Sequence, residues 1–156
     1  MIHKDREVTD IIDIIEIISK CDVCRIALNR DDGYPYILPL NFGFESLDGN
    51  LVIYFHSAVR GMKHELIRRD NRASFEMDCG HKLHSIEDRG YCTMNYMSVT
   101  GHGQIEYITD EHEKMRVLTL MTDRYHNGRH FSFNPAALPR TSVYKLVVVK
   151  ITGKRK

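Results

Sequence analysis

The chain has 156 residues, 42% hydrophobic and 28% charged, with 22 Lys and Arg against 21 Asp and Glu for a formal net charge of +1. That length suits one domain, residues 1–156, with a core of its own, and so small a charge provides no field to gather nucleic acid. No apolar run approaches the roughly 20 residues of a membrane helix, and MIHKDREVTD lacks the apolar centre of a secretory leader, so no membrane role is expected and the expected compartment is the cytoplasm.

Val8, Ile11, Ile12, Ile15 and Ile18 recur at helical spacing behind Thr9 and Asp10, which can cap a helix. Ile14 and Ile17 widen the apolar stripe enough to meet more than one neighbour, a second subunit included. Cys21 and Cys24 form a C-x-x-C pair with no second pair at zinc-site spacing, so they are expected as free thiols. Residues 24–30 read as a strand, Asp31-Asp32-Gly33 as a turn and residues 34–45 as a second, long strand, in which Pro35 and Pro39 force an interruption or an edge position. Such a break leaves backbone groups free for a ligand. After a turn at Leu47-Asp48-Gly49-Asn50, Leu51, Ile53 and Phe55 alternate with Val52, Tyr54 and His56, giving three sequential antiparallel strands.

The segment LVIYFHSAVRGMKH, residues 51–64, runs a strand through a small-residue turn into a helix carrying Lys63 and His64. The first N–H groups of a helix have no internal partner and carry the positive end of its dipole, and Ser57 adds a hydroxyl, a combination suited to phosphate. The same composition also serves a turn that only caps and solvates its helix. Arg60 reads as a solvated charge, and His64, His112, His126 and His130 as ordinary polar residues.

The helix ends near Asp70, residues 72–77 alternate as a strand, and residues 79–89 read as the longest loop. Cys79, His81, His84 and Cys92 have the ligand count of a metal site, although histidines three apart in a polar segment are more often solvated, and no metal is expected. Residues 91–108 form a long strand that Gly101 and Gly103 bend or bulge. Tyr91, Cys92 and Tyr96 either floor a substrate pocket or join the core. Thr109-Asp110-Glu111 opens a third helix with Met115, Leu118 and Met121 inward, ending near His126, where Asn127-Gly128 makes a left-handed turn. An irregular segment at 131–139 leads to a strand at 142–152. Six or so antiparallel strands with helices between them predict a small closed barrel, mainly β within the α+β class, rather than a doubly wound parallel sheet.

With the pieces in this order, the segments GYPYILPLNFGFE at 33–45, LVIYFHSAVRGMKHELIRRD at 51–70, YMSVTGHGQIEYI at 96–108 and the ending from Arg140 resemble the pyridoxamine 5′-phosphate oxidase-like FMN-binding split barrels, nearest the nitroimidazole-resistance branch. The resemblance implies a six-stranded antiparallel split β-barrel with peripheral helices, and a homodimer holding two FMN molecules at the subunit interface. It implies backbone around Ile37, Leu38, Pro39, Leu40 and Asn41 beside the flavin ring, with Phe55, His56 and Ser57 along the ribityl chain and phosphate. Lys63 then supplies charge to the phosphate, and Tyr96 and Ser98 reach the flavin from the far side. Ser57 and Lys63 are thus singled out twice, once by helix electrostatics and once by resemblance, whereas strand alternation leaves His56 free to point inward or outward. Pyridoxamine phosphate oxidase itself uses a C-terminal tryptophan and arginine; this chain has no tryptophan, so a substrate other than vitamin B6 is expected. The expected activity is reduction of a small electron-poor acceptor, such as a nitro-aromatic compound, with His56 and Tyr96 as candidate proton donors. The alternatives are a non-catalytic module holding flavin or haem, for which the 9 histidines offer ligands, and an interaction domain that holds neither.

Overall fold

A computed structural model describes residues 4–47, 50–126, 129, 131 and 133–156. The turn residues Asp48 and Gly49, the proposed turn Asn127-Gly128 and His130 lie outside the described residues. In chain order the elements are β1 (Glu7–Val8), α1 (Ile11–Lys20), β2 (Cys24–Leu28), β3 (Tyr36–Leu40), β4 (Gly43–Leu47), β5 (Asn50–Ala58), α2 (Met62–Arg69), β6 (Arg72–Ile86), β7 (Tyr91–Ile108), α3 (Glu111–Tyr125) and β8 (Thr141–Arg155). None of the described helices is long and apolar enough to cross a membrane.

Among the described residues the strands form one antiparallel sheet of eight, not six, ordered β3-β2-β6-β7-β8-β5-β4, with β1 added to the far end of β8. β3 and β4 stand at the two ends of this order, yet only residues 41–42 separate them in the chain. The sheet must therefore curl until its edges meet at that corner, and the barrel is closed there by the chain rather than by a ladder. The long strand expected over 34–45 is in fact these two edge strands, and the expected three-strand run is two hairpins, β2–β3 and β4–β5, on opposite edges. Pro39, which has no N–H to give, lies in edge strand β3 opposite Arg25.

β5 is buried on both faces and separates two cores. Leu51, Ile53 and Phe55 face the barrel interior with Tyr144 and Leu146, while Val52 and Tyr54 pack beneath Val117, Leu118 and Met121 of α3. Gly43 permits that second contact, since a Cβ there would stand 2.5 Å from Leu120. Asp10 caps α1, its carboxylate accepting from the N–H of Ile12 at 2.8 Å. Ile14, Ile17 and Ile18 close the barrel interior, each worth about 1.5–3 kcal/mol of burial. The expected stripe was displaced: Ile12 is 75% exposed, Ile11 is exposed, and Val8 belongs to β1.

Residues 79–86 belong to β6, not to a loop. From residue 80 onward they pair with β7 as a two-stranded arm exposed on both faces, so neither face imposes an alternation of apolar residues. Gly103 sits at the bulge where β7 changes register against β8, and a Cβ there would lie 2.0 Å from the carbonyl oxygen of Val147. The irregular segment after α3 closes in a 3-10 turn, Pro135–Arg140, capped by the Asn134 side chain.

Candidate functional site

The β5–α2 junction is built from both sides. Gly61 is the N-cap of α2 at φ +132°, a conformation that favours glycine, and it brings no side chain to the helix's first N–H groups. Lys63 folds back over this end, its Nζ 3.9 Å from the position a Gly61 Cβ would take. An uncapped helix start with an ammonium beside it is an anion site in chemical terms.

Ser57 faces the other way. Its hydroxyl donates to the Ala58 carbonyl at 3.1 Å and its Oγ lies 3.2 Å from His64 Nε2. His64 is only 2% exposed, and it holds the whole junction: Nε2 lies 2.7 Å from the Ala58 carbonyl, and Nδ1 2.8 Å from the Tyr107 hydroxyl. A carbonyl can only accept, so Nε2 carries the proton and cannot serve as a base toward Ser57, which removes a serine–histidine nucleophile from consideration. The Tyr107 and Tyr144 rings pack on this imidazole, and burial raises both phenols, Tyr144 to about 12. His64 had read as an ordinary polar residue; its place one helical turn before the buried Ile67 was the available signal.

His56, next to Ser57, points to the opposite face of β5. With Asn41 from the barrel corner and Met121, Thr122, Tyr125 and His126 from the end of α3 it lines a cavity of about 240 Å³. Tyr125 fixes that corner, its hydroxyl accepting from the Phe42 N–H at 3.0 Å and donating to the Asp22 carbonyl at 2.8 Å. Among the described residues His56 Nδ1 is buried without a hydrogen-bond partner, and burial lowers the pKa of this imidazole.

The other predicted residues divide clearly. Asn41 joins His56 at the cavity, and Ile37 to Leu40 present an outer strand edge with no ladder, Ile37 being 61% exposed. The Phe55 side chain is wholly inside the barrel, 5.7 Å from the Tyr144 ring, so only its backbone can face a ligand. Tyr96 and Ser98 are elsewhere. His56 pairs with Val143, which pairs with Ile108, whereas Ser98 lies roughly ten residues back along β7, about 33 Å at the rise of an extended strand. There the Lys154 ammonium beside Tyr96 lowers its phenol pKa. Cys79, His81, His84 and Cys92 do not converge, and no cluster of three or more potential metal ligands forms among the described residues.

Residues 11–155 match the model of the family described as pyridoxamine 5′-phosphate oxidase. The chain belongs to that family. Among solved structures of this architecture, a candidate 5-nitroimidazole antibiotic resistance protein from Bacteroides thetaiotaomicron is 31% identical over 95% of this chain and 85% of its own, with a TM-score of 0.82. An FAD- and haem-binding protein from Mycobacterium smegmatis has a TM-score of 0.79 at 18% identity, covering 97% of this chain and 73% of that one. A flavocytochrome from Azotobacter vinelandii has a TM-score of 0.76 at 18% identity, covering 96% and 69%. At 18% these last two show the split-barrel fold alone. No curated protein sequence matches the chain. The oxidase family thus accounts for the architecture, while the structural neighbours differ in what their names say they bind.

Proposed function

We propose that the protein binds FMN at the β5–α2 junction and uses it to reduce a small, electron-poor acceptor of the nitro-aromatic kind. The observation that carries this reading is the pairing, on adjacent residues of one strand and the helix that follows, of an uncapped helix start covered by Lys63 with a buried, unpartnered His56 Nδ1. The first is what a phosphate dianion requires, and the second is a polar atom open to a ligand group that donates to it. The likeness to a candidate nitroimidazole resistance protein at 31% identity supports the acceptor class.

Bound FMN supplies the redox chemistry, taking electrons from a reduced donor and passing them on. Lys63 and the free N–H groups of α2 hold the phosphate, and Ser57 contributes if its hydroxyl turns from Ala58. The open edge at Ile37, Leu38, Leu40 and Asn41 presents backbone groups to the planar ring, with Pro39 keeping a further strand from adding there. His56, kept neutral by burial, offers Nδ1 to a polar group entering the cavity beside Asn41 and Tyr125. Tyr96, its phenol made more acidic by Lys154, serves as proton donor only if it belongs to a second copy, because within one chain it stands at the opposite end of the sheet. The reading therefore includes a homodimer in which Tyr96 and Ser98 of one subunit complete the site of the other.

Full-length protein supplied with FMN and a reduced nicotinamide should consume metronidazole, with loss of its nitro absorbance faster than for free FMN. Reduced flavin reoxidised by air alone, at the same rate with and without the acceptor, contradicts the reductase. An intense haem band in place of a flavin spectrum contradicts the cofactor.

A further inference from the structure

A second cavity, of about 270 Å³, opens between α2, the end of β7, and the starts of α3 and β8. It is separate from the His56 cavity and does not include Lys63. Two cations face it from different elements, Arg68 on α2 and Lys114 on α3, and none of its lining residues is acidic. Among the described residues neither cation has an ion-pair partner. The acidic residues at the start of α3 are set aside from it, Asp110 being engaged as the cap that accepts from the Glu113 N–H at 2.8 Å.

The floor combines apolar side chains with polar ones. Tyr107 lies over the buried His64, with Arg68 near enough to oppose the effect of burial on its phenol. Ser142 brings a hydroxyl that has no hydrogen-bond partner among the described residues. Two unpaired cations held apart by different helices repel one another, and an anion between them relieves that repulsion while gaining charge-assisted hydrogen bonds. The cavity is smaller than the about 300–1,000 Å³ typical of drug-sized ligands, so its occupant is small.

We propose that this cavity binds a small anion, a carboxylate or a phosphate, through Arg68, Lys114 and the hydroxyl of Ser142. The site does not depend on the flavin reading. Titration of the full-length ¹⁵N-labelled chain with sodium phosphate and, separately, sodium acetate, at ionic strength held constant with sodium chloride, tests it. Saturable amide shifts at Lys114 and Ser142 with either anion are expected, and whichever anion saturates names the head group. Affinity should fall about tenfold in Arg68→Ser and again in Lys114→Ser, both surface changes that leave the core intact, and should be unchanged in Lys63→Ala. Shifts that rise linearly with both anions overturn the proposal. So does saturation that disappears in Lys63→Ala, which would assign the anion to the start of α2.

Discussion

His56 and Ser57 are neighbours on one strand, yet they serve opposite faces: the serine is tied into the His64–Tyr107 hydrogen bonds, and the histidine is left with a buried nitrogen unpaired. That difference has a consequence in pH. Burial depresses the His56 pKa below its ordinary 6.5, so below that value the unfolded chain takes up a proton that the folded chain resists. Stability present above 6.5 is therefore lost as pH falls toward the depressed folded value. Urea unfolding between about pH 7 and about pH 5 should show a steeper loss for the wild type than for His56→Gln; equal slopes would mean the imidazole is as solvated folded as unfolded. Of the residues singled out from sequence, the place of Lys63 at the start of α2 was legible because a strand-to-helix turn is a local pattern. His64 was not, because its importance comes from Tyr107, a residue 43 positions away that only the fold brings to it.

At the level of elements, the corner at residues 41–42 is what joins the barrel edges, and α3 holds it in place. The Arg124 guanidinium donates to the carbonyls of Ile18, Ser19 and Cys21 at 2.9, 3.3 and 2.5 Å, satisfying the end of α1, while stacking 4.5 Å from the Phe42 centroid and 5.1 Å from that of Phe44. Arg124→Ala should cost about 2–3 kcal/mol in chemical denaturation, the range of hydrogen bonds to a charged group with partly buried carbonyls left open. A loss under about 0.5 kcal/mol would assign the fixing of this corner to Tyr125 alone. Elements with one buried face were readable from their pattern: β7 was expected over the residues it occupies, and α2 and α3 end within a residue or so of expectation. The arm at residues 80–86 was not, since a strand wetted on both sides has the composition of a loop. Nor was the exchange of α1's buried face, because seven closely spaced apolar residues allow more than one stripe and only packing against the barrel selects Ile14, Ile17 and Ile18.

For the whole molecule, family and split-barrel class followed from the order of segments. The arrangement of its sites did not, because Tyr96 and Ser98 share a strand with Ile108 but lie at its other end. If a second copy completes each flavin site, FMN affinity should weaken on dilution of the protein through its dimer dissociation range, as followed by flavin fluorescence; an affinity independent of protein concentration while the dimer dissociates would place all the contacts in one chain. The most direct measurement is FMN titration, read in the visible flavin band, of the wild type and Lys63→Ala side by side. Binding weakened by roughly 1.5–3 kcal/mol, about tenfold to a hundredfold, is the result expected if Lys63 holds the phosphate at the start of α2. Equal affinity in the two proteins would contradict it.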